Sequence, residues 1–146
     1  MLFRSDVAAE LYLIRHGIAA ERGEAWPDDT KRPLTDQGVR RLRTIAAGFV
    51  EIGVSFDVML TSPLVRARQT AEIIAGSLDP HPPIVTTDAL SPGGTYAAVV
   101  DELGKQARRR RIALVGHEPG IGALADRKST RLNSSHIQKS RMPSSA

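Results

Sequence analysis

The chain contains no cysteine, which excludes disulfide bridges and thiolate-ligated metal sites. No apolar run approaches the roughly 20 residues that a membrane-crossing helix needs. The first ten residues, MLFRSDVAAE, include acids and no apolar core of signal-peptide length. The expectation is a cytoplasmic protein without membrane contact. Excess charge is also scarce over most of the chain. There are 20 Lys+Arg against 16 Asp+Glu. Five of those bases (Arg127, Lys128, Arg131, Lys139, Arg141) and one acid (Asp126) fall in residues 126–146, so residues 1–125 balance at 15 of each. Residues 1–125 therefore carry no electrostatic footprint for nucleic acid. The run Arg108 to Arg111 does not alter this. It lacks interleaved aromatics and falls at the C-terminal end of a predicted helix, where cations are favoured.

What is present suits one domain with a real core: 146 residues, 41% hydrophobic and 25% charged. Leu11 to Ile14 form a short apolar run, the pattern of a strand buried on both faces. Arg15 and His16 follow at its C-terminal end. Gly17 is expected to let the chain turn sharply and a ligand approach the backbone. Imidazole can attack phosphorus, and guanidinium can hold phosphate oxygens in a bidentate fork. The same pair also fits a strand ending in two solvated polar residues. Residues 18–33 are polar, carry two prolines and read as a loop rimming that end. Trp26, Lys31 and Arg32 in it are either substrate contacts or ordinary surface residues.

Thr35 caps a predicted helix on which Val39, Leu42, Ile45, Ala46, Phe49 and Val50 recur at helical spacing, with Gly53 as its stop. Phe56 to Thr61 reads as a second strand. Ser62 is the expected N-cap of the next helix and Pro63 its first residue. Arg66 then lies about one turn in, near the helix's positive end, where a cation gains nothing from the dipole. A nearby anion or a plain surface position would account for it. His81, among prolines, is expected to be exposed and without a role. Ile84 to Thr86 is a short strand, and Asp88 to Gly94 a loop. Thr95 caps a helix with Tyr96, Val99, Val100 and Leu103 on one face. Ile112 to Gly116 is another buried strand, and His117 stands at its end. Strands alternating with helices imply a three-layer α/β/α fold with a largely parallel sheet. In such a sheet the strand ends share one edge, so Arg15, His16, Ser62, Arg66 and His117 can converge.

With these residues in hand, the chain resembles the histidine phosphatase superfamily, of phosphoglycerate-mutase-like fold. The resemblance rests on Arg15-His16-Gly17, on Pro33 to Gly38 (PLTDQG), on Ser62 to Ala71 (SPLVRARQTA) and on Val115 to Pro119 (VGHEP), in that order. Short loops and the stretch Leu90 to Gly94 are similar to the small phosphohistidine phosphatase branch, the SixA type. The resemblance implies that His16 is the nucleophile and is transiently phosphorylated. It implies that Arg15 and Arg66 hold the phosphoryl oxygens and that His117 adds a hydrogen bond and stabilises the transition state. It implies neither metal nor cofactor. The expected partner is a phosphorylated protein or a small phosphorylated substrate. Phosphoryl transfer depends mainly on positioning and charge stabilisation, which two guanidiniums and an imidazole can supply. His16 must be neutral at its attacking nitrogen, so its other nitrogen should donate to a fixed acceptor that the sequence does not identify.

Two features depart from the family pattern. Larger members carry a glutamate acid in the loop after the third strand, and here Pro92 falls near that place. Asp88, Asp28 and Asp29 are the alternative acids. The second departure is the stretch Asp126 to Ala146, which shows no hydrophobic periodicity and no strand pattern. It reads as the translation of a common sequencing-library adapter, the competing reading being a genuine disordered basic tail. The expected organisation is a histidine phosphatase domain over 1–125, lacking its C-terminal part, and a non-native tail over 126–146. Three functions compete on this reading: a protein phosphohistidine phosphatase, a phosphatase of a small phosphorylated metabolite, and a phosphate-binding module without turnover.

Overall fold

The computed structural model describes residues 9–127, 130–132 and 137–142. In chain order its elements are β1 (Ala9–Arg15), α1 (Asp36–Glu51), β2 (Val58–Thr61), α2 (Val65–Ser77), β3 (Ile84–Thr86), α3 (Tyr96–Lys105), β4 (Arg111–Gly116), α4 (Gly120–Arg127), β5 (Thr130–Leu132) and β6 (Ile137–Met142). The strands form one sheet in the order β3-β2-β4-β1-β6-β5. The first four are parallel, while β6 runs antiparallel to β1 and β5 antiparallel to β6.

Period-two alternation along buried strands divides the core into two layers. β1 sends Tyr12 and Ile14 toward α1 and α2, where they meet Leu42, Phe49 and Ile74. It sends Leu11 and Leu13 to the other face, with Val99 of α3 and Ile121 of α4. Leu13, Ile14, Leu60 and Leu114 are at most 1% exposed, each contributing roughly 1.5–3 kcal/mol by burial. This is the expected three-layer α/β/α arrangement. β4 lies between β1 and β2, with Arg15 opposite Gly116 and Thr61 opposite Val115. Their C-terminal ends therefore deliver His16, Ser62 and His117 side by side.

Several local expectations change. α2 starts at Val65 with Leu64 as its cap, two residues later than expected. The Ser62 hydroxyl is fully buried and committed at the strand exit, where it accepts the Leu64 N–H at 3.2 Å. Gly17 has no positive φ. Its requirement is space: a Cβ there would sit 2.8 Å from Cδ1 of Leu42. Gly53 does take φ +75°, ending α1 as expected. Val100, expected inward, is exposed. His81 is exposed but not idle, since its Nδ1–H donates to the carbonyls of Leu78 (2.7 Å) and Ala75 (3.0 Å) at the end of α2.

The expectation of no strand after residue 125 is corrected. β6 pairs with β1 from Ala9↔Met142 to Ile14↔Ile137. β1 has a free edge on the side away from β4, and pairing along such an edge uses backbone groups, which need no side-chain periodicity. The boundary at 125/126 falls inside α4.

Candidate active site

A cleft of about 430 Å³ opens over the C-terminal ends of β1, β2 and β4. Arg15, His16, Arg66 and His117 all line it, joined by Arg22, Asp29, Arg32, Pro92 and Glu118. The four residues expected from sequence are thus brought together. Arg32 also lines it and is 8% exposed, whereas Trp26 and Lys31 lie outside the lining.

His16 leaves β1 with its N–H donating to the Gly116 carbonyl at 3.1 Å. Its Nδ1–H donates to the Gly17 carbonyl at 2.7 Å. That carbonyl is the acceptor the sequence could not identify, and it leaves Nε2 without a proton. Burial lowers the His16 pKa below 6.5, with the positive charges of Arg66, Arg32 and Arg15 acting in the same direction against the Gly17 bond. The neutral imidazole is the nucleophilic form. The exit loop is held from α2, because Gly17 N–H donates to Thr70 Oγ1 at 3.1 Å and Leu34 N–H to Gln69 Oε1 at 2.8 Å. The sequence reading gave Thr70 and Gln69 no role. Their helical spacing from Arg66 was the available signal.

His117 lies with its ring centroid 5.0 Å from that of His16. Its Nε2 is 2.8 Å from Ser62 Oγ. Ser62 Oγ also accepts the Leu64 N–H, and when its own proton points to Nε2 the His117 proton resides on Nδ1. Burial first, then the neighbouring His16 and Arg66, lower the His117 pKa to about 4. His117 is therefore neutral at pH 7. Its Nδ1 and the Nε of Arg66 are buried with no protein partner among the described residues. Both residues line the cleft, and an oxyanion bound there supplies acceptors.

Asp29 ties the rim to this centre. Arg66 donates to its carbonyl at 2.8 Å and to its Oδ2 at 3.1 Å, and Arg32 Nε donates to its Oδ1 at 2.9 Å. The Arg32 hydrogen bond, reinforced by the charges of Arg66 and Arg32, lowers the Asp29 pKa. Asp29 is thus an ionised counterion and not a resting proton donor. Asp28 accepts from Thr30 N–H and Oγ1–H and is drawn into that turn. Asp88 is exposed and does not line the cleft. Among the described residues there is no cluster of three or more side chains suited to hold a metal.

Two histidines and two arginines at the strand ends of a phosphoglycerate-mutase-like sheet define a class. The family model of the histidine phosphatase superfamily (branch 1) matches residues 11–91, and the chain belongs to that superfamily of phosphatases. It is 42% identical over 120 residues to an uncharacterized protein of Picosynechococcus sp., covering 80% of this chain and 71% of the relative. Among solved structures, it is similar to the SixA phosphohistidine-phosphatase candidate of Agrobacterium tumefaciens, with TM-score 0.72 and 25% identity over 81% of this chain and 76% of that one. The protein histidine phosphatase SixA complexed with tungstate shares the fold, with TM-score 0.74 and 23% identity over 92% of this chain and 97% of that one. No helix among the described residues is long and apolar enough to cross a membrane.

Proposed function

We propose that this chain is a protein phosphohistidine phosphatase that works through a phosphohistidine enzyme intermediate. The observation that carries the reading is His16, whose Nδ1–H is committed to the Gly17 carbonyl, leaving Nε2 bare beside Arg15, Arg66 and His117. Nε2 attacks phosphorus, and the bond from phosphorus to the leaving nitrogen breaks. Water then attacks the phosphorylated His16, releasing inorganic phosphate and restoring the imidazole. Arg15 and Arg66 hold the equatorial oxygens, and His117 Nδ1–H donates to the same group as charge builds on it. SixA-type neighbours support the substrate class, and tungstate in one of them is itself a tetrahedral oxyanion.

The acid content of the cleft supports nitrogen-linked phosphate over alkyl phosphate. An alkoxide leaving group needs a proton, and a positioned acid contributes ~10²–10⁴ in rate. Of the two carboxyl groups that line the cleft among the described residues, Asp29 is ionised and Glu118 accepts the Gly122 N–H and faces Arg15, while Pro92 lies near where larger family members carry glutamate. A phosphorylated imidazole protonated on its other nitrogen departs as neutral imidazole without such help. The test is a side-by-side kinetic comparison. kcat/KM for a phosphohistidine peptide should exceed that for an alkyl phosphate by at least ~10², with aryl esters between. Rapid quench with a labelled donor should trap an acid-labile, base-stable phosphoenzyme that His16→Ala abolishes. Equal efficiency on alkyl phosphate would instead favour the metabolite-phosphatase reading.

A further inference from the structure

Beside the catalytic cleft lies a second cavity of about 280 Å³, and Pro92, His117 and Glu118 line both. Leu90, Tyr96, Val99, Ile121 and Leu124 give it apolar walls. Among the described residues it is lined by no lysine or arginine, and by one acid, Glu118. The cationic half of the joint site thus receives the phosphoryl group. The neighbouring half offers apolar surface and a single carboxylate.

Glu118 is held so that one oxygen stays available. Oε1 accepts the Gly122 N–H at 2.7 Å. Oε2 forms an ion pair with Arg15 Nη1 at 3.8 Å, too long for a hydrogen bond, so it can still accept one. The side chain is 46% exposed. Building on the phosphohistidine reading, we infer that Glu118 and the apolar cavity form the leaving-group subsite, selecting a phosphorylated imidazole in its protonated form. The ring nitrogen not bonded to phosphorus carries a proton and donates it as a hydrogen bond to Oε2. An adjacent carboxylate favours that cationic form. When His16 attacks, the electron pair of the P–N bond returns to the ring, which departs as neutral imidazole with its N–H intact. No proton is transferred in the step. An alkyl or aryl ester, whose leaving group carries no protonated ring nitrogen, gains nothing from Glu118.

The test compares the 146-residue chain with Glu118→Gln, which removes the charge and keeps the size, and with Gly122→Ala. A Cβ at position 122 would sit 2.8 Å from Glu118 Oε1, displacing the carboxylate while improving helix propensity. Each variant should lower kcat/KM for a phosphohistidine peptide by about tenfold more than for p-nitrophenyl phosphate, the ratio corresponding to one pKa unit on the leaving ring. Equal losses on both substrates would mean that Glu118 acts through Arg15, and equal activity would mean that it does nothing; either overturns the inference. A second readout is inhibition of p-nitrophenyl phosphate hydrolysis by imidazolylmethylphosphonate against benzylphosphonate. Wild type should prefer the imidazole compound, and Glu118→Gln should lose that preference. If wild type hydrolyses the ester but not phosphohistidine, the proposed function falls, and this inhibitor pair alone decides the subsite. No preference in wild type overturns it.

Discussion

Arg66 and Arg68 are two residues apart on one helix and have opposite fates. Arg66 is 3% exposed and donates to Asp29 within the cleft. Arg68 is half exposed, with Glu72 3.7 Å away along α2. Arg66→Ala should therefore lower kcat/KM by ~10²-fold or more, the scale for losing a preorganised donor. Arg68→Ala should change it less than about twofold, since exposed helical ion pairs contribute little. Arg66→Lys should not restore activity, because lysine lacks the planar fork. Steady-state kinetics on p-nitrophenyl phosphate reads all three. His16 gives a second expectation. Its lowered pKa keeps the attacking imidazole neutral below pH 6.5. Protonation abolishes nucleophilicity, so activity is retained as pH falls until the folded-state pKa is reached. The acid limb of kcat/KM, which reports the free enzyme, should lie below 6.5 once substrate ionisation is divided out.

At the scale of elements, α1 supports the site by close approach. Thr35 N–H donates to the Ile18 carbonyl at 2.8 Å, and Gly38 in the first turn packs against that same oxygen. A Cβ at 38 would collide with backbone, which cannot rotate aside. Gly48, on the exposed side of the same helix, has nothing within 4 Å of its ideal Cβ. Gly38→Ala should destabilise by about 1–3 kcal/mol, and Gly48→Ala should stabilise by about 0.5–1 kcal/mol through helix propensity and a less flexible unfolded chain. Urea denaturation of the pair separates crowding from propensity. The sequence showed α1 and its Thr35 cap, because both follow local rules of periodicity and capping. It did not show which glycine touches another segment, because that contact joins two elements.

For the molecule as a whole, the unexpected feature is the antiparallel side of the sheet. β6 covers β1 along its length, and β5 covers β6. We propose that 126–146 is nonetheless of foreign origin, which is compatible with pairing that uses backbone groups alone. Deleting residues 128–146 would leave β1 with an open edge. Such an edge recruits other chains. The shortened chain should show a lower thermal midpoint and concentration-dependent association by light scattering. An unchanged midpoint with a monomeric chain would show that β6 does not hold this edge. The deletion leaves His16, Arg66 and His117 in place, so residual activity per folded molecule should persist.

Local chemistry made much of this protein legible in its sequence. The apolar runs of β1, β2 and β4 set the parallel strands, and helical periodicity set α1. Arg15, His16 and His117 are adjacent to strand ends in the chain, so one rule of α/β sheets brought them to a common edge. The tertiary structure decided what depends on distant neighbours. The Gly17 carbonyl orients His16, while Ser62 pairs with His117 across 55 positions of chain. Asp29 is 37 positions from Arg66, yet becomes its counterion. Ser62 lies two residues before the observed cap Leu64, and its buried hydroxyl contacts His117. Hydrogen bonds and charge pairs act over a few ångströms, and which groups come that close is determined only once the sheet and its two helical layers have packed.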